Sequence, residues 1–362
     1  MPRSFHLLID NAVRLAFFRR VCATEGRTPS VIFHANLYTW LKAHILRMPG
    51  QHLLLKRERT PRLSGQPSIE EIKNGTNIRS GIHFPLGNKQ DELWVFSGFQ
   101  YAACELIPYY NKVRYFEIGN FPNRYQSSYS GVNADADYDE KIHALRQTYP
   151  VTAQQVSELA QSLLHFRPPH VDVSIIGKAL EQGVNLLGYC CLKTAAPHSA
   201  PMKQLSTALA IRRVRQRIRT YESVPPPKRF NLFIAQVEQD SQTLFQSDVD
   251  SLTAISNALI ESKNSHIPLI VRLHPGEKNL RALERTIEYC EQKGILISNQ
   301  GNLLETAIKA EAVFTINSTG GLQCLLFGKA VTTYGRSFYQ NWDAASVWLY
   351  HEHILREFKD EH

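Results

Sequence analysis

Three consecutive prolines, Pro225-Pro226-Pro227, interrupt the chain between Val224 and Lys228. No helix continues through them, because each ring removes a backbone N–H and clashes with the preceding turn. The next element must start afresh, and it starts as an apolar run, Phe230 to Ala235, that reads as a buried strand. Alternation then predicts helix Asp248 to Ser262, strand Pro268 to Leu273, helix Leu280 to Lys293 and strand Ile295 to Ser298. Helix Leu303 to Ala310, strand Ala312 to Ile316, helix Gly321 to Phe327 and strand Ala330 to Tyr334 complete the series. Short strands separated by helices of this length point to parallel βαβ units.

The region before the prolines alternates in the same way. Val31 to His34, Gln51 to Lys56, Leu93 to Phe96 and Val113 to Ile118 read as strands, with helices at Leu37 to Leu46 and Tyr101 to Tyr110. Helices are expected to dominate from about Asp137 to Tyr221. The predicted class is α/β and GT-B-like, two Rossmann-type domains facing a central cleft. The expected domains are residues 1–223, residues 224–340 and a C-terminal helical segment, 341–362, returning to the first domain. At 362 residues and 43% hydrophobic content the chain is long enough to bury such cores.

Lysine and arginine exceed aspartate and glutamate by 41 to 33, a formal charge of +8 and a pI near 9.1. That balance favours anionic partners, although a generally basic soluble protein has the same composition. The six cysteines lack C-x-x-C spacing and are read as reduced core residues of a cytoplasmic protein. No apolar run reaches the roughly 18 residues of a membrane span. Asp10, Arg14, Arg19 and Arg20 interrupt the N-terminal segment where a signal peptide would be apolar.

Chemistry is expected at the strand ends, because ligands of open α/β sheets bind outside the carboxyl ends of the strands. The first strand after the prolines breaks into Gln236-Val237-Glu238-Gln239-Asp240-Ser241-Gln242. Asp240 there can serve as base, as nucleophile toward an anomeric carbon or as stabiliser of an oxocarbenium ion. It can equally cap a helix starting at Ser241. The next strand ends in Arg272-Leu273-His274-Pro275-Gly276, where Arg272 and His274 can hold a phosphate or, for His274, carry a proton, and where Pro275-Gly276 also reads as a turn. Asn317-Ser318-Thr319-Gly320-Gly321 then places hydroxyls and glycine amides at a helix start, suited to an anion or to an ordinary N-cap.

In the first half, Glu117 closes a strand and is a candidate proton-transfer group, with a salt-bridged surface glutamate as the alternative. Asp135-Ala136-Asp137 spells D-x-D but is read as a solvated helix start, so no metal site is assigned. Residues 211–219 hold five arginines with Ile211, Val214 and Ile218 on one helical face. A solvated helix face is the default reading; contact with an anionic inner-membrane surface or an acidic glycan is the alternative. No zinc-finger spacing or RNP-type motif accompanies the charge, so nucleic acid is not an expected partner.

The three strand-end blocks, with Leu322 to Val331 and Tyr334-Gly335-Arg336-Ser337-Phe338-Tyr339, resemble the retaining β-Kdo transferases of capsule-polysaccharide biosynthesis. The resemblance is good from about Asn231 to Tyr339 and thins to Glu117-Ile118-Gly119 and Gly131-Val132-Asn133-Ala134 in the first half. It implies a GT-B-like glycosyltransferase that takes Kdo from CMP-β-Kdo, with retention, without a catalytic metal or other cofactor. The acceptor would be a glycan or lipid-linked glycan of bacterial capsule or O-antigen, bound by the first half. By the same resemblance Asp240 is the nucleophile. Gln236, Ser241, Gln242, Arg272, His274, Asn317, Ser318, Thr319 and Gly320 contribute to the donor site. Another nucleotide sugar, such as CMP-sialic acid, or a non-catalytic assembly role are the readings set against it. The chain departs from many relatives in carrying Thr319-Gly320-Gly321 where a β-branched residue precedes a single glycine, a change expected to act on helix packing.

Overall fold

A computed structural model describes residues 4–57, 82–83, 91–166, 175–194, 211–238 and 241–359. The chain forms two compact units: Met1–Asp137 with Pro168–Gln204 and Leu355–His362, and Tyr138–Arg167 with Leu205–Ile354. The proline triplet thus lies inside the second unit. The helix over residues 211–219 explains this, since its Val214 and Ile218 are buried in that unit's core. Ser298 Oγ also donates to the Val224 carbonyl at 2.6 Å, which ties the proline segment to the same sheet.

The first unit is built on β1 (Phe5–Ile9), β2 (Val31–His34), β3 (Gln51–Leu54), β6 (Glu92–Phe96), β7 (Lys112–Ile118), β8 (Arg124–Ser128) and β14 (Arg356–Glu357). A separate ladder pairs β4 (Lys56–Arg57) with β5 (Ile82–His83). The seven strands lie in the order β14-β8-β7-β6-β1-β2-β3, parallel from β7 to β3 and antiparallel at β8 and β14. Both faces of β1 are buried: Phe5, Leu7 and Ile9 point into one apolar cluster and Leu8 into the other. That is why Phe5 to Ile9 does not alternate, its one polar residue, His6, being buried with its Nδ1 2.5 Å from Tyr110 Oη.

Helices α1 (Ala12–Glu25), α2 (Leu37–Ile45), α3 (Tyr101–Leu106) and α6 (Ile175–Cys191) belong to this unit. Asn11 and Asn36 cap α1 and α2 by accepting from Arg14 N and Thr39 N. β8 is a strand that the sequence pattern does not single out. Its Gln126 and Ser128 are buried because they are paired, Gln126 Nε2 donating to Glu117 and Ser128 Oγ to Asp137.

The second unit carries α4 (Tyr138–Thr148), α5 (Ala153–His165), α7 (residues 211–219), β9 (Asn231–Ile234), α8 (Ser241–Gln246), α9 (Ser251–Asn264) and β10 (Leu269–Arg272). Next along the chain come α10 (Leu280–Lys293), β11 (Leu296–Ile297), α11 (Leu303–Lys309), β12 (Ala312–Thr315), α12 (Thr319–Leu325), β13 (Ala330–Thr333) and α13 (Ala344–Leu349). The sheet order is β11-β10-β9-β12-β13, parallel throughout. The α/β class expected from sequence is therefore present, with one sheet parallel throughout and one parallel over five strands and antiparallel at β8 and β14. The C-terminal segment does not form one returning helix. α13 and the π-helical turn Tyr350–Ile354 stay with the second unit, and only β14 joins the first, paired to β8.

All six cysteines are free, but Cys190 and Cys191 are exposed on α6 rather than in a core. Burial pushes the thiols of Cys290 and Cys324 up to about 12, so both are neutral core groups.

Candidate functional site

In the second sheet, strand order reverses between β9, which continues outward to β10, and β12, which continues to β13. Helices diverge to opposite faces at such a reversal and leave a crevice at the carboxyl ends of the strands. A cavity of about 780 Å³ opens there, lined by Ile234 and Ala235 at the end of β9, Arg272 to Pro275 at the end of β10, Asn299 and Gly301 to Leu303 after β11, Ser318 to Gly320 and Gln323 after β12, and Ile218 and Glu222 from the segment ahead of the prolines. This volume is in the range of small-molecule pockets.

Side chains hold the crevice open from within. Gln236 and Asn317 bridge the reversal point: Gln236 Nε2 donates to Asn317 Oδ1 at 2.9 Å, and Asn317 N donates to Gln236 Oε1 at 2.7 Å. Asn317 Nδ2 continues to the Arg336 carbonyl at 3.2 Å. Gln236 and Asn317 thus fix the two loops to each other, and neither is among the residues lining the cavity. Asn317 is buried and Gln236 partly so, and leaving a buried group of this kind unpaired costs about 1–3 kcal/mol.

His274 accepts from Gly276 N at Nδ1, 2.9 Å, which puts the proton of the neutral ring on Nε2. Gly276 keeps this turn uncrowded, since a Cβ there would lie 3.0 Å from His274 Cε1 and press on the ring. Arg272 spends its guanidinium on the loop after β11, donating to the carbonyls of Gln300 at 2.9 Å and Gly301 and to Thr306 Oγ1 at 3.3 Å. It therefore shapes the cavity wall as well as carrying charge to it. Burial lowers its pKa from the ordinary arginine value, a range far above neutral, so it remains a cation.

Ser318 is the N-cap of α12, accepting from Gly320 N at 3.1 Å, while Tyr339 Oη donates to its carbonyl at 2.5 Å. The two glycines serve packing, as expected: a Cβ on Gly320 would meet Leu303 Cδ2 at 2.9 Å, and one on Gly321 would meet Thr315 Cγ2 and Tyr339 Oη at 2.9 and 3.0 Å. Thr319 and Gly320 line the cavity beside Ser318.

Asp240 lies outside the described residues, and Ser241 and Gln242 are the first residues of α8. Glu238, the last described residue before it, is held by two partners. Glu277, 6% exposed, accepts from Glu238 N at 3.0 Å and from Lys278 N and Asn279 N at 2.7 and 2.8 Å. Glu238 in turn pairs with Arg285 Nη2 at 2.7 Å. Glu117 stands in the first unit at the end of β7, where its carboxylate accepts from Gln126 Nε2 at 3.2 Å and Asn133 N at 3.4 Å.

Asn299 is a cavity-lining position that the motif pattern does not single out. It receives Leu273 N at Oδ1, 3.0 Å, and donates from Nδ2 to the Leu273 carbonyl at 2.8 Å, clamping the peptide that precedes His274. Its signal is a fourth polar strand end, Ser298-Asn299-Gln300-Gly301-Asn302. In the D-x-D segment Asp135 is exposed, and Asp137 accepts from Ser128 Oγ at 2.9 Å just ahead of α4. Among the described residues no cluster of three or more His, Cys, Asp or Glu could hold a metal ion. The five arginines of α7 are exposed, but Val214 and Ile218 belong to the core, so its apolar face is not open to a bilayer. None of the described helices is long and apolar enough to cross a membrane.

Residues 197–346 match the family model described as capsule polysaccharide biosynthesis protein, a stretch that contains every strand end lining this cavity. No curated protein sequence matches the chain. Among solved structures, the chain is similar to the beta Kdo 2,7 transferase of Thermosulfurimonas dismutans KpsC at 15% identity and a TM-score of 0.42, covering 95% of this chain and 82% of that one. The beta Kdo 2,4 transferase of the same KpsC matches at 15% identity and 0.35, covering 73% and 75%. A UDP-GlcNAc 2-epimerase of Methanocaldococcus jannaschii matches at 12% identity and 0.30, covering 99% and 96%.

Proposed function

We propose that this chain, whose second unit carries the capsule-polysaccharide pattern, is a retaining β-Kdo transferase using CMP-β-Kdo. The observation that carries the reading is the cavity at the β9/β12 reversal. Its rim sets the Arg272 cation, the Nε2–H of His274 and the Ser318 and Thr319 hydroxyls around one volume fit for a nucleotide monophosphate. These groups take the leaving phosphate without requiring a metal, because fixed donors in a partly desolvated site stabilise developing anionic charge.

In the proposed reaction the Asp240 carboxylate attacks the anomeric carbon as the bond to the CMP phosphate oxygen breaks, and the bonding pair leaves with CMP. An acceptor hydroxyl then attacks the same carbon and displaces Asp240. Glu117 is the proposed acceptor of the hydroxyl proton. Two inversions give net retention. The acceptor is a glycan or glycolipid of a bacterial surface polysaccharide.

Incubation with CMP-Kdo and candidate acceptors tests this directly. Asp240→Ala is expected to lower transfer by at least about 10³-fold with an unchanged melting temperature. CMP, but not UDP, is expected to raise the melting temperature by a few degrees at saturating concentration. Near-normal turnover by Asp240→Ala, or stabilisation by UDP alone, sinks the assignment.

A further inference from the structure

One side chain joins the loops that follow the neighbouring strands β9 and β10. Glu277 is buried, and its two carboxylate oxygens serve different loops. Oε1 accepts from Lys278 N at 2.7 Å and Asn279 N at 2.8 Å, which closes the turn into α10, where Asn279 is the N-cap. Oε2 reaches the loop after β9 and accepts from Glu238 N at 3.0 Å. Glu277 is also tied through its backbone to the turn that carries His274, its N–H donating to the His274 carbonyl at 3.2 Å.

Glu238 stands two residues ahead of Asp240. Its side chain makes a second tie to the same side, accepting from Arg285 Nη2 at 2.7 Å and from Asn279 Nδ2 at 3.4 Å. Thr243 is buried and donates from Oγ1 to the Val237 carbonyl at 3.4 Å, so the chain comes back to this loop after only Gln239 to Gln242. The short span that bears Asp240 thus starts and finishes at one place. That place is bonded to the His274 turn through Glu277.

Glu277 is not among the residues lining the cavity of about 780 Å³, so it acts on a ligand there only through the loops it joins. Closing the turn into α10 uses Oε1; the bond from Oε2 adds a link between loops that the turn does not require. We infer that Glu277 is a positioning residue, which registers the Asp240 loop against the His274 turn and so sets the nucleophile toward the leaving phosphate. This rests on the roles proposed above for Asp240 and His274. Misplacing a reacting group by about 1 Å can cost about 10²-fold in rate, so one such link carries weight.

Glu277→Gln tests it, because the amide keeps the size and one oxygen. With that oxygen on Lys278 N and Asn279 N, its N–H2 group faces Glu238 N–H, donor against donor, and the link between the loops is lost. At saturating CMP-Kdo and acceptor, kcat is expected to fall about 10- to 100-fold, while CMP affinity changes by less than about twofold because the cavity wall is retained. Hydrogen exchange should rise over residues 236–246 and not in β10. Asp250→Ala, which removes the N-cap of α9 away from the cavity wall, controls for lost stability: it is expected to lower the melting temperature by a few degrees without lowering kcat. A kcat for Glu277→Gln within about threefold of wild type overturns the inference, and the proposed reaction stands if Asp240→Ala is still inactive. An equal fall in kcat for Asp250→Ala also overturns it, by assigning the loss to stability. A wild type without transfer removes the reaction and this role together.

Discussion

The two sheets share a strand order and differ in what their reversal points contain. Counting only parallel strands, the first unit runs β7-β6-β1-β2-β3 and the second β13-β12-β9-β10-β11, the same order in each. In the second, the reversal opens on a cavity of about 780 Å³. In the first, the space between the ends of β1 and β6 is filled by the chain's own charges. Arg14 pairs with Asp10 and lies over the Phe96 ring at 4.7 Å. With its amide oxygen toward Arg14, Gln100 accepts from both guanidinium Nη atoms at 2.9 and 3.0 Å and donates to the Phe96 carbonyl at 3.0 Å. Topology provides a crevice in both sheets; side chains decide whether it stays open or is bridged by the protein itself.

The largest effect expected from breaking this contrast is on the filled crevice. Asp10 and Arg14 are nearly buried, at 11% and 14% side-chain exposure. Asp10→Ala takes the counter-charge from a nearly buried guanidinium, leaving it only the neutral Gln100 amide and the Phe96 ring, and is expected to cost about 3 kcal/mol of stability, read by urea unfolding. CMP affinity should be unchanged, because the pair belongs to the first unit and the cavity to the second. A CMP affinity that falls together with stability would show that the two crevices are not independent.

Gln236→Ala strikes the open crevice. It removes both bonds to Asn317 and is expected to cost about 2–3 kcal/mol of stability. It should also weaken CMP binding, since the loops bearing Ser318 and Thr319 lose their tie to β9. Calorimetric titration with CMP separates the two effects. Weaker binding with unchanged stability would mean that Gln236 touches the ligand itself rather than only positioning the loop.

Much of this contrast is legible in the amino-acid pattern. The second unit's strands can be placed because each is a short apolar run closed by a polar cluster, and α10 is bounded at Leu280 and Lys293 by Asn279 ahead of it and Gly294, at φ 65°, behind it. The residues that line the cavity at those strand ends are legible for the same reason. β8 is not, because its buried positions include Gln126 and Ser128, whose partners Glu117 and Asp137 lie too far along the chain for local pattern to announce them. A phosphate role for Arg272 leaves out its bonds to Gln300 and Gly301, since a basic residue at a strand end looks the same whether it holds a ligand or a loop. The dual life of the arginine-rich helix is half visible. Spacing reveals the apolar stripe, but only packing shows that Val214 and Ile218 are spent on the core.

The smallest predicted effect is graded with pH and again separates the two units. His34, at the end of β2, is fully buried and bonded through Nε2 to His52 Nδ1 at 2.9 Å, while its Nδ1 lies 3.3 Å from Thr39 Oγ1. Burial, with His52 and His44 adding to it, pushes its pKa down to about 3 from the usual 6.5. The folded protein therefore keeps the ring neutral where the unfolded chain would protonate it. The unfolded state binds more protons below pH 6.5, so this contribution is complete above that pH and is lost progressively as pH falls toward 3. The expected slope is about 1.4 kcal/mol per pH unit for one such histidine. Hydrogen exchange at about pH 7 and about pH 5 should show protection falling in peptides of β1, β2 and α2, and His34→Gln should flatten that dependence. Equal loss across β9 and β12 would place the titration elsewhere and end the claim that the first unit's polar groups are committed to holding itself together.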